Sequence, residues 1–85
     1  KKNKFMKKIT KKKLIDIIAK TTKTNPLKVS DSTNDKNLKS WDSMNHIKII
    51  IELEKLVGIK IQFKDTLKLT SVKQILNFLK KKNVI

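Results

Sequence analysis

Ser43-Met44-Asn45-His46-Ile47-Lys48-Ile49-Ile50-Ile51-Glu52-Leu53-Glu54-Lys55-Leu56-Val57-Gly58 decides the fold. Three consecutive isoleucines at 49–51 would suit a strand, because β-branched side chains favour sheets. Against that, the stretch is about four helical turns long and has a signal at each end. Asp42 or Ser43 can cap its start, and Gly58, the only glycine, sits where a left-handed residue would end it. Ile47, Ile50, Ile51 and Leu53, with Met44 and Val57, give it a wide apolar face. The stretch therefore reads as a helix at the centre of the fold.

Working outward, the spacing predicts three more helices. Upstream, residues 4–21 carry Phe5, Met6, Ile9, Leu14, Ile15, Ile17 and Ile18 under a coat of lysine, with the clearest stripe at 14, 15, 17 and 18. Residues 22–42 form a long connection rich in Thr, Ser, Asn and Asp. Pro26 biases Asn25 away from the helical region, and Leu27, Val29 and Leu38 are expected to pin the connection to the core. A loop this long in a small domain is usually functional or firmly packed. Downstream, Gly58-Ile59-Lys60-Ile61 is a short extended link, and residues 65–69 can make one helical turn. Ser71-x-x-Gln74 is a capping box opening a last helix, in which Val72, Ile75, Leu76 and Leu79 share a face. The expectation is an all-α bundle of three longer helices and one short third helix. Its expected core is Ile15, Ile18, Ile47, Ile50, Ile51, Leu53, Ile61, Leu67, Leu69, Val72, Ile75, Leu76 and Leu79.

Eighty-five residues make one small domain, here 1–85, with 1–5 a basic N-terminal extension and 80–85 a basic C-terminal end. There is no cysteine, which excludes disulfides, a thiol nucleophile and Cys-ligated metal. No apolar run approaches a membrane span, and no signal-peptide pattern follows the basic start, so a cytoplasmic protein is expected. The net charge of +15 raises a nucleic-acid role, but all 22 basic residues are lysine. Arginine is the side chain suited to bidentate phosphate and guanine contacts. The charge also lies at the ends. Residues 1–20 hold nine lysines against Asp16 and 80–82 add three more, whereas 21–79 hold ten against six acids.

Catalytic arrangements are few. His46, the only histidine, lies three residues after Ser43, but no third group orients the two as a nucleophile–base pair. It reads as an exposed first-turn residue. One glycine cannot make a phosphate loop. Asp31-x-Thr33-x-Asp35-Lys36, with Asp42, partly follows a calcium loop, yet Lys36 replaces its glycine and Asp42 its bidentate glutamate. A non-catalytic protein is expected. What stands out is Trp41-Asp42-Ser43-Met44, which puts a hydroxyl where helical N–H groups lack partners and negative charge is favoured.

Asp42-Ser43-Met44, the helix ending Glu52-Leu53-Glu54-Lys55-Leu56-Val57-Gly58 and the link Ile59-Lys60-Ile61 resemble the central part of acyl carrier proteins. The 65–69 turn and Thr70-Ser71-Val72-Lys73-Gln74-Ile75 continue the resemblance in the same order, so that it covers about residues 12–82. That family carries Asp-Ser-Leu, a helix, a Gly-Ile-x-Ile link, a short third helix and a Thr-Thr-Val-type start to the fourth. The Trp-Asp-Ser form is similar to stand-alone carriers of specialised biosynthetic pathways, such as those for surface polysaccharides or amino-acid-derived building blocks.

The resemblance implies 4′-phosphopantetheine, donated by coenzyme A, on the Ser43 oxygen through a phosphodiester. A phosphopantetheinyl transferase would attach it, and its terminal thiol would hold acyl or aminoacyl groups as thioesters. A borrowed thiol would let a cysteine-free chain do sulfur chemistry. Asp42 matches the acidic residue that supports loading, and Met44 matches a leucine facing partner enzymes. Trp41, Asn45, His46, Lys48 and Ile61 are expected to join Met44 on the partner side. The implied partners are that transferase and acyl- or aminoacyl-loading and transfer enzymes, with a monomeric carrier, no nucleic acid and no membrane span. Two departures stand out. Leu38-Lys39-Ser40-Trp41 has no glycine where the family has Leu-Gly, so the loop must take another path. The helix after Ser43 also lacks the family's acidic face, which implies enzymes distinct from those of housekeeping fatty-acid synthesis, with neutral or acidic docking faces. The alternatives are a basic helical nucleic-acid-binding domain and a cofactor-free adaptor in which Ser43 is only a cap.

Overall fold

A computed structural model describes residues 7–85. Its helices are α1 (Lys11–Thr22), α2 (Ser43–Val57), α3 (Phe63–Thr66) and α4 (Val72–Lys81), with a 3-10 turn at Pro26–Lys28 inside the long connection. Among the described residues no strand is present, and the chain is a small all-α bundle. No helix among them is long and apolar enough to cross a membrane.

Local chemistry sets the helix ends. The Thr10 hydroxyl accepts from the Lys13 N–H at 3.1 Å, so α1 begins at Lys11 rather than at residue 4. The described residues before Thr10 are non-helical and dock on other elements: Lys7 N–H donates to the Val57 carbonyl and Ile9 N–H to that of Val84. The part of the expected first helix at 4–6 lies outside the described residues. Gly58, at φ 73°, ends α2 in the left-handed region, where a glycine has no Cβ penalty. At Ser71 the hydroxyl accepts from the Gln74 N–H, which is the expected N-cap of α4. Gln74 Oε1 turns to the Thr70 and Ser71 hydroxyls instead of the Ser71 backbone.

The core comes from one narrow side of each helix. Leu14 and Ile18 of α1, Ile49, Leu53 and Val57 of α2, and Val72, Ile75 and Leu79 of α4 are fully buried, with Val84 closing the end. Ile50, Ile61 and Leu69 are buried as expected. Five expected core residues are not. Ile47, Ile51 and Leu67 are exposed at 56%, 43% and 62%, and Ile15 and Leu76 are half-buried. The reason is rotational. The buried side of α2 follows 49-50-53-57, which points Ile47 and Ile51 outward along the opposite flank. The one-turn helix also forms earlier than expected, at 63–66, which leaves Leu67 outside and brings Leu69 in. Ile17, Ala19, Val29 and Trp41 complete the core.

Two backbone hydrogen bonds anchor the long connection. Asp35 N–H donates to the Thr70 carbonyl and Val72 N–H to the Thr33 carbonyl, both at 3.0 Å, giving an isolated antiparallel bridge between Asn34 and Ser71. The loop is thus stitched to the start of α4, with Val29 buried beneath it while Leu27 stays in solvent. Truncating Leu53 to alanine should cost about 2–5 kcal/mol, because a fully buried side chain leaves a cavity. Truncating the exposed Leu67 should cost less than about 1 kcal/mol. Urea unfolding midpoints of the two variants measure the difference; equal losses would contradict this packing.

Candidate functional site

The start of α2 is capped by Asp42. Its carboxylate oxygen Oδ1 accepts from the Asn45 N–H at 2.9 Å, and its carbonyl takes the His46 N–H at 2.8 Å. Ser43 is therefore the first helical residue and not the cap. It is exposed, and its hydroxyl makes no hydrogen bond with any described residue. The backbone N–H groups of Ser43 and Met44 likewise have no partner among the described residues. Two donors at the positive end of the helix thus face solvent beside that hydroxyl.

Ser43 borders a shallow depression of about 340 Å³ whose walls are Asp35, Trp41, Asp42, His46, Leu67 and Thr70. Three separate segments meet there. The connection supplies Asp35, Trp41 and Asp42, α2 supplies Ser43 and His46, and the stretch from α3 to α4 supplies Leu67 and Thr70. Sequence reasoning does not place Asp35, Leu67 and Thr70 at the site. They arrive through the bridge between residues 33–35 and 70–72, whose partners lie far apart in the chain, and neither periodicity nor turn chemistry signals that pairing.

His46 holds these segments in register. The Trp41 indole Nε1–H donates to His46 Nδ1 at 3.1 Å, and His46 Nε2 lies 2.8 Å from the Thr66 carbonyl oxygen. An indole N–H can only donate and a carbonyl can only accept. The imidazole therefore carries its proton on Nε2, donating to Thr66 while it accepts from Trp41. The two rings also stack, with centroids 6.3 Å apart and planes inclined by 28°. Both nitrogens are occupied, so His46 has no lone pair left to activate Ser43.

The side chains expected on the partner side divide in two. Trp41, at 2% exposure, is a core residue that lids the base of α2, and its burial removes it from any docking surface. Its N–H has a partner in His46, as buried indoles require. His46 is half-buried rather than exposed. Asn45 is half-buried too, its amide donating to the Ser40 carbonyl at 2.8 Å. Ile61 is buried, and its N–H donates to Glu54 Oε2 at 2.7 Å, which ties the link after α2 back onto that helix. Met44 and Lys48 do face solvent. Ile47, expected in the core, joins them, so that the exposed side of α2 just after Ser43 is apolar and basic.

The missing glycine before Asp42 has a structural account. Among the described residues positive φ occurs only at Lys23, Gly58 and Asn83, so residues 38–41 run through ordinary backbone and need none. The partial calcium pattern is used otherwise. Asp31 pairs with Lys11, the Asn34 and Asn37 side chains fold the turn through the Ser32 carbonyl and local N–H groups, and Asp42 caps α2. No group of three His, Cys, Asp or Glu that could hold a metal occurs among the described residues.

No protein-family model matches this chain, and no curated protein matches its sequence.

Asp42→Ala should destabilise the fold by about 1 kcal/mol, whereas Asp42→Asn should stay near wild type, because asparagine caps as well as aspartate. Thermal unfolding monitored by circular dichroism measures both. In mildly alkaline buffer, a long-range 15N–1H correlation spectrum should show His46 protonated at Nε2 only. Finding the proton on Nδ1 would refute the Trp41–His46–Thr66 chain.

Proposed function

We propose that this chain is a carrier protein whose Ser43 oxygen accepts 4′-phosphopantetheine, and that it serves a specialised biosynthetic pathway. One observation carries this reading: Asp42 performs the capping, which leaves the Ser43 hydroxyl exposed and unbonded at a helix start. A serine kept only as a cap would be expected to spend its oxygen on the N–H groups of the first turn. This favours the carrier over a cofactor-free adaptor that has merely kept a cap.

The local chemistry fits a phosphodiester. The unpartnered N–H groups of Ser43 and Met44 and the positive end of α2 favour negative charge at the Ser43 oxygen. In loading, that oxygen would form a bond to the phosphorus bearing the pantetheine arm of coenzyme A. The pyrophosphate bond breaks, 3′,5′-adenosine bisphosphate leaves with the electron pair, and the serine proton passes to a base of the transferase. His46 cannot be that base, since both its nitrogens are engaged. Asp42 keeps its second carboxylate oxygen available to the transferase and its magnesium. When bound, the group supplies a terminal thiol on which an acyl or aminoacyl cargo is held as a thioester.

The surface around Ser43 points to the class of partner. Of the two acids on α2, Glu54 accepts from Ile61 N–H and Glu52 lies 4.0 Å from Lys55. Met44, Ile47 and Lys48 are left to meet an incoming enzyme. A partner with an apolar socket and neutral or acidic surroundings matches that face, and a strongly basic one does not.

Incubation with coenzyme A and a broad-specificity phosphopantetheinyl transferase should add one phosphopantetheinyl group by intact mass. Ser43→Ala should gain none. An unmodified wild-type chain would refute the carrier reading.

A further inference from the structure

The end of the molecule away from Ser43 carries a concentration of lysine that the carrier reading does not use. Ser43 opens α2, and Val57 closes it. At a rise of about 1.5 Å per residue, the two ends of that helix lie roughly 21 Å apart. Three backbone bonds gather the chain at the far end: Lys7 N–H to the Val57 carbonyl, Ile9 N–H to the Val84 carbonyl and Val84 N–H to the Leu79 carbonyl. They bring the segment before α1, the end of α2 and the end of α4 together. Lys7, Lys8, Lys60, Lys80, Lys81 and Lys82 are exposed on these pieces.

The acids that could neutralise this pole are elsewhere or occupied. Asp35, Asp42 and Asp65 belong to the segments around Ser43. Asp16, Asp31 and Glu52 pair with Lys12, Lys11 and Lys55, so that Glu54, which accepts the Ile61 N–H, is the one carboxylate near this pole without a lysine partner and offsets at most one of its charges. Among the described residues no carboxylate lies within ion-pair distance of the six pole lysines. The helix ends place partial negative charge beneath some of them, but that effect is confined to the last turn and does not require six.

We propose that this pole is a docking surface for anionic lipid, holding the molecule with Ser43 turned away from the membrane. Clusters of four to eight lysines suit an anionic bilayer, where each lysine near the surface contributes about 1 kcal/mol without needing a fixed geometry. Bidentate readout of a nucleic-acid phosphate or guanine favours arginine, and the chain has none. Among the exposed apolar side chains, Met44 and Ile47 lie in the first turns of α2 and Leu67 borders the Ser43 depression, away from the pole. The lysine pole thus approaches lipid by charge alone, and an arm on Ser43 would point toward soluble enzymes. The proposal stands on the charge distribution and holds whether or not Ser43 is loaded.

The test is co-sedimentation of the full chain with phosphatidylcholine vesicles containing phosphatidylserine, at low and high salt. One variant carries Lys7→Gln, Lys8→Gln, Lys80→Gln, Lys81→Gln and Lys82→Gln. A control carries Lys20→Gln, Lys23→Gln, Lys28→Gln, Lys36→Gln and Lys73→Gln, with the same loss of net charge. A third variant with only the three substitutions at 80–82 is a milder version of the first. All the substituted lysines are exposed, and unchanged circular dichroism confirms folding. Binding should require phosphatidylserine, weaken with salt, fall by about 100-fold or more in the pole variant, fall partly in the triple variant and persist in the control. Brominated lipid should leave Trp41 fluorescence unquenched, because the only tryptophan sits at the Ser43 end of α2, opposite the pole. Equal loss in both five-site variants would reduce the effect to net charge and overturn the proposal. So would strong Trp41 quenching, which would mean insertion by the apolar Ser43 end. Duplex RNA outcompeting vesicles through the same five lysines would assign the pole to nucleic acid instead.

Discussion

The Trp41–His46–Thr66 chain of hydrogen bonds is the constraint on which the surroundings of Ser43 depend. A single imidazole, accepting on one nitrogen and donating from the other, joins the long connection, the first turn of α2 and the end of α3. Neither the connection nor α3 would be held there by local propensity. The connection has no helix of its own beyond a 3-10 turn, and α3 is a single turn, too short to be stable alone. Burial of the Trp41 ring supplies the apolar weight, and the imidazole satisfies the polar atom that burial would otherwise strand.

From that constraint follows a division of labour along residues 41–48. Trp41 faces inward and closes the core, Asp42 neutralises the start of the helix, Asn45 holds the loop and His46 holds α3. Ser43, Met44, Ile47 and Lys48 are left to solvent. No buried side-chain polar atom among the described residues lacks a hydrogen bond. The supporting groups of this site are thus engaged in the fold, and the Ser43 hydroxyl alone is unengaged. Charge is unevenly divided as well. Acids and lysines mix on the segments around Ser43, whereas the pole at the other end of α2 gathers six exposed lysines.

The helices were legible in the sequence because their signals are local. Asp42 and Ser71 as caps, Gly58 as a left-handed stop and the apolar spacing of α2 and α4 each act within a turn or two, where the 3.6-residue period governs. Which side of α2 would be buried was not legible. Eight of its fifteen residues are Ile, Leu, Val or Met, and a helix apolar on most sides gives no preference between 47-51 and 49-53. The choice falls to neighbouring elements, here α1 on one flank and α3 with the link 58–61 on the other. Trp41 illustrates the same limit. An aromatic beside an exposed serine reads as an anchor for a partner or as a lid on the core, and only the presence of His46 Nδ1 within reach of its N–H decides for the lid.

By itself, then, the sequence determined an all-α chain, the helix that begins at Asp42-Ser43, the absence of any thiol of its own and a lysine excess at both ends, since each of these is a property of residue type or of neighbours a few positions apart. The tertiary structure alone decided that Asp42 and not Ser43 does the capping, that His46 and Trp41 turn inward, that Asp35, Leu67 and Thr70 border the serine, and that Lys7 and Lys8 meet the lysines at 80–82 at one pole. Those outcomes rest on hydrogen bonds and packing between segments far apart in the chain, and on which of several equally apolar faces the other elements could cover.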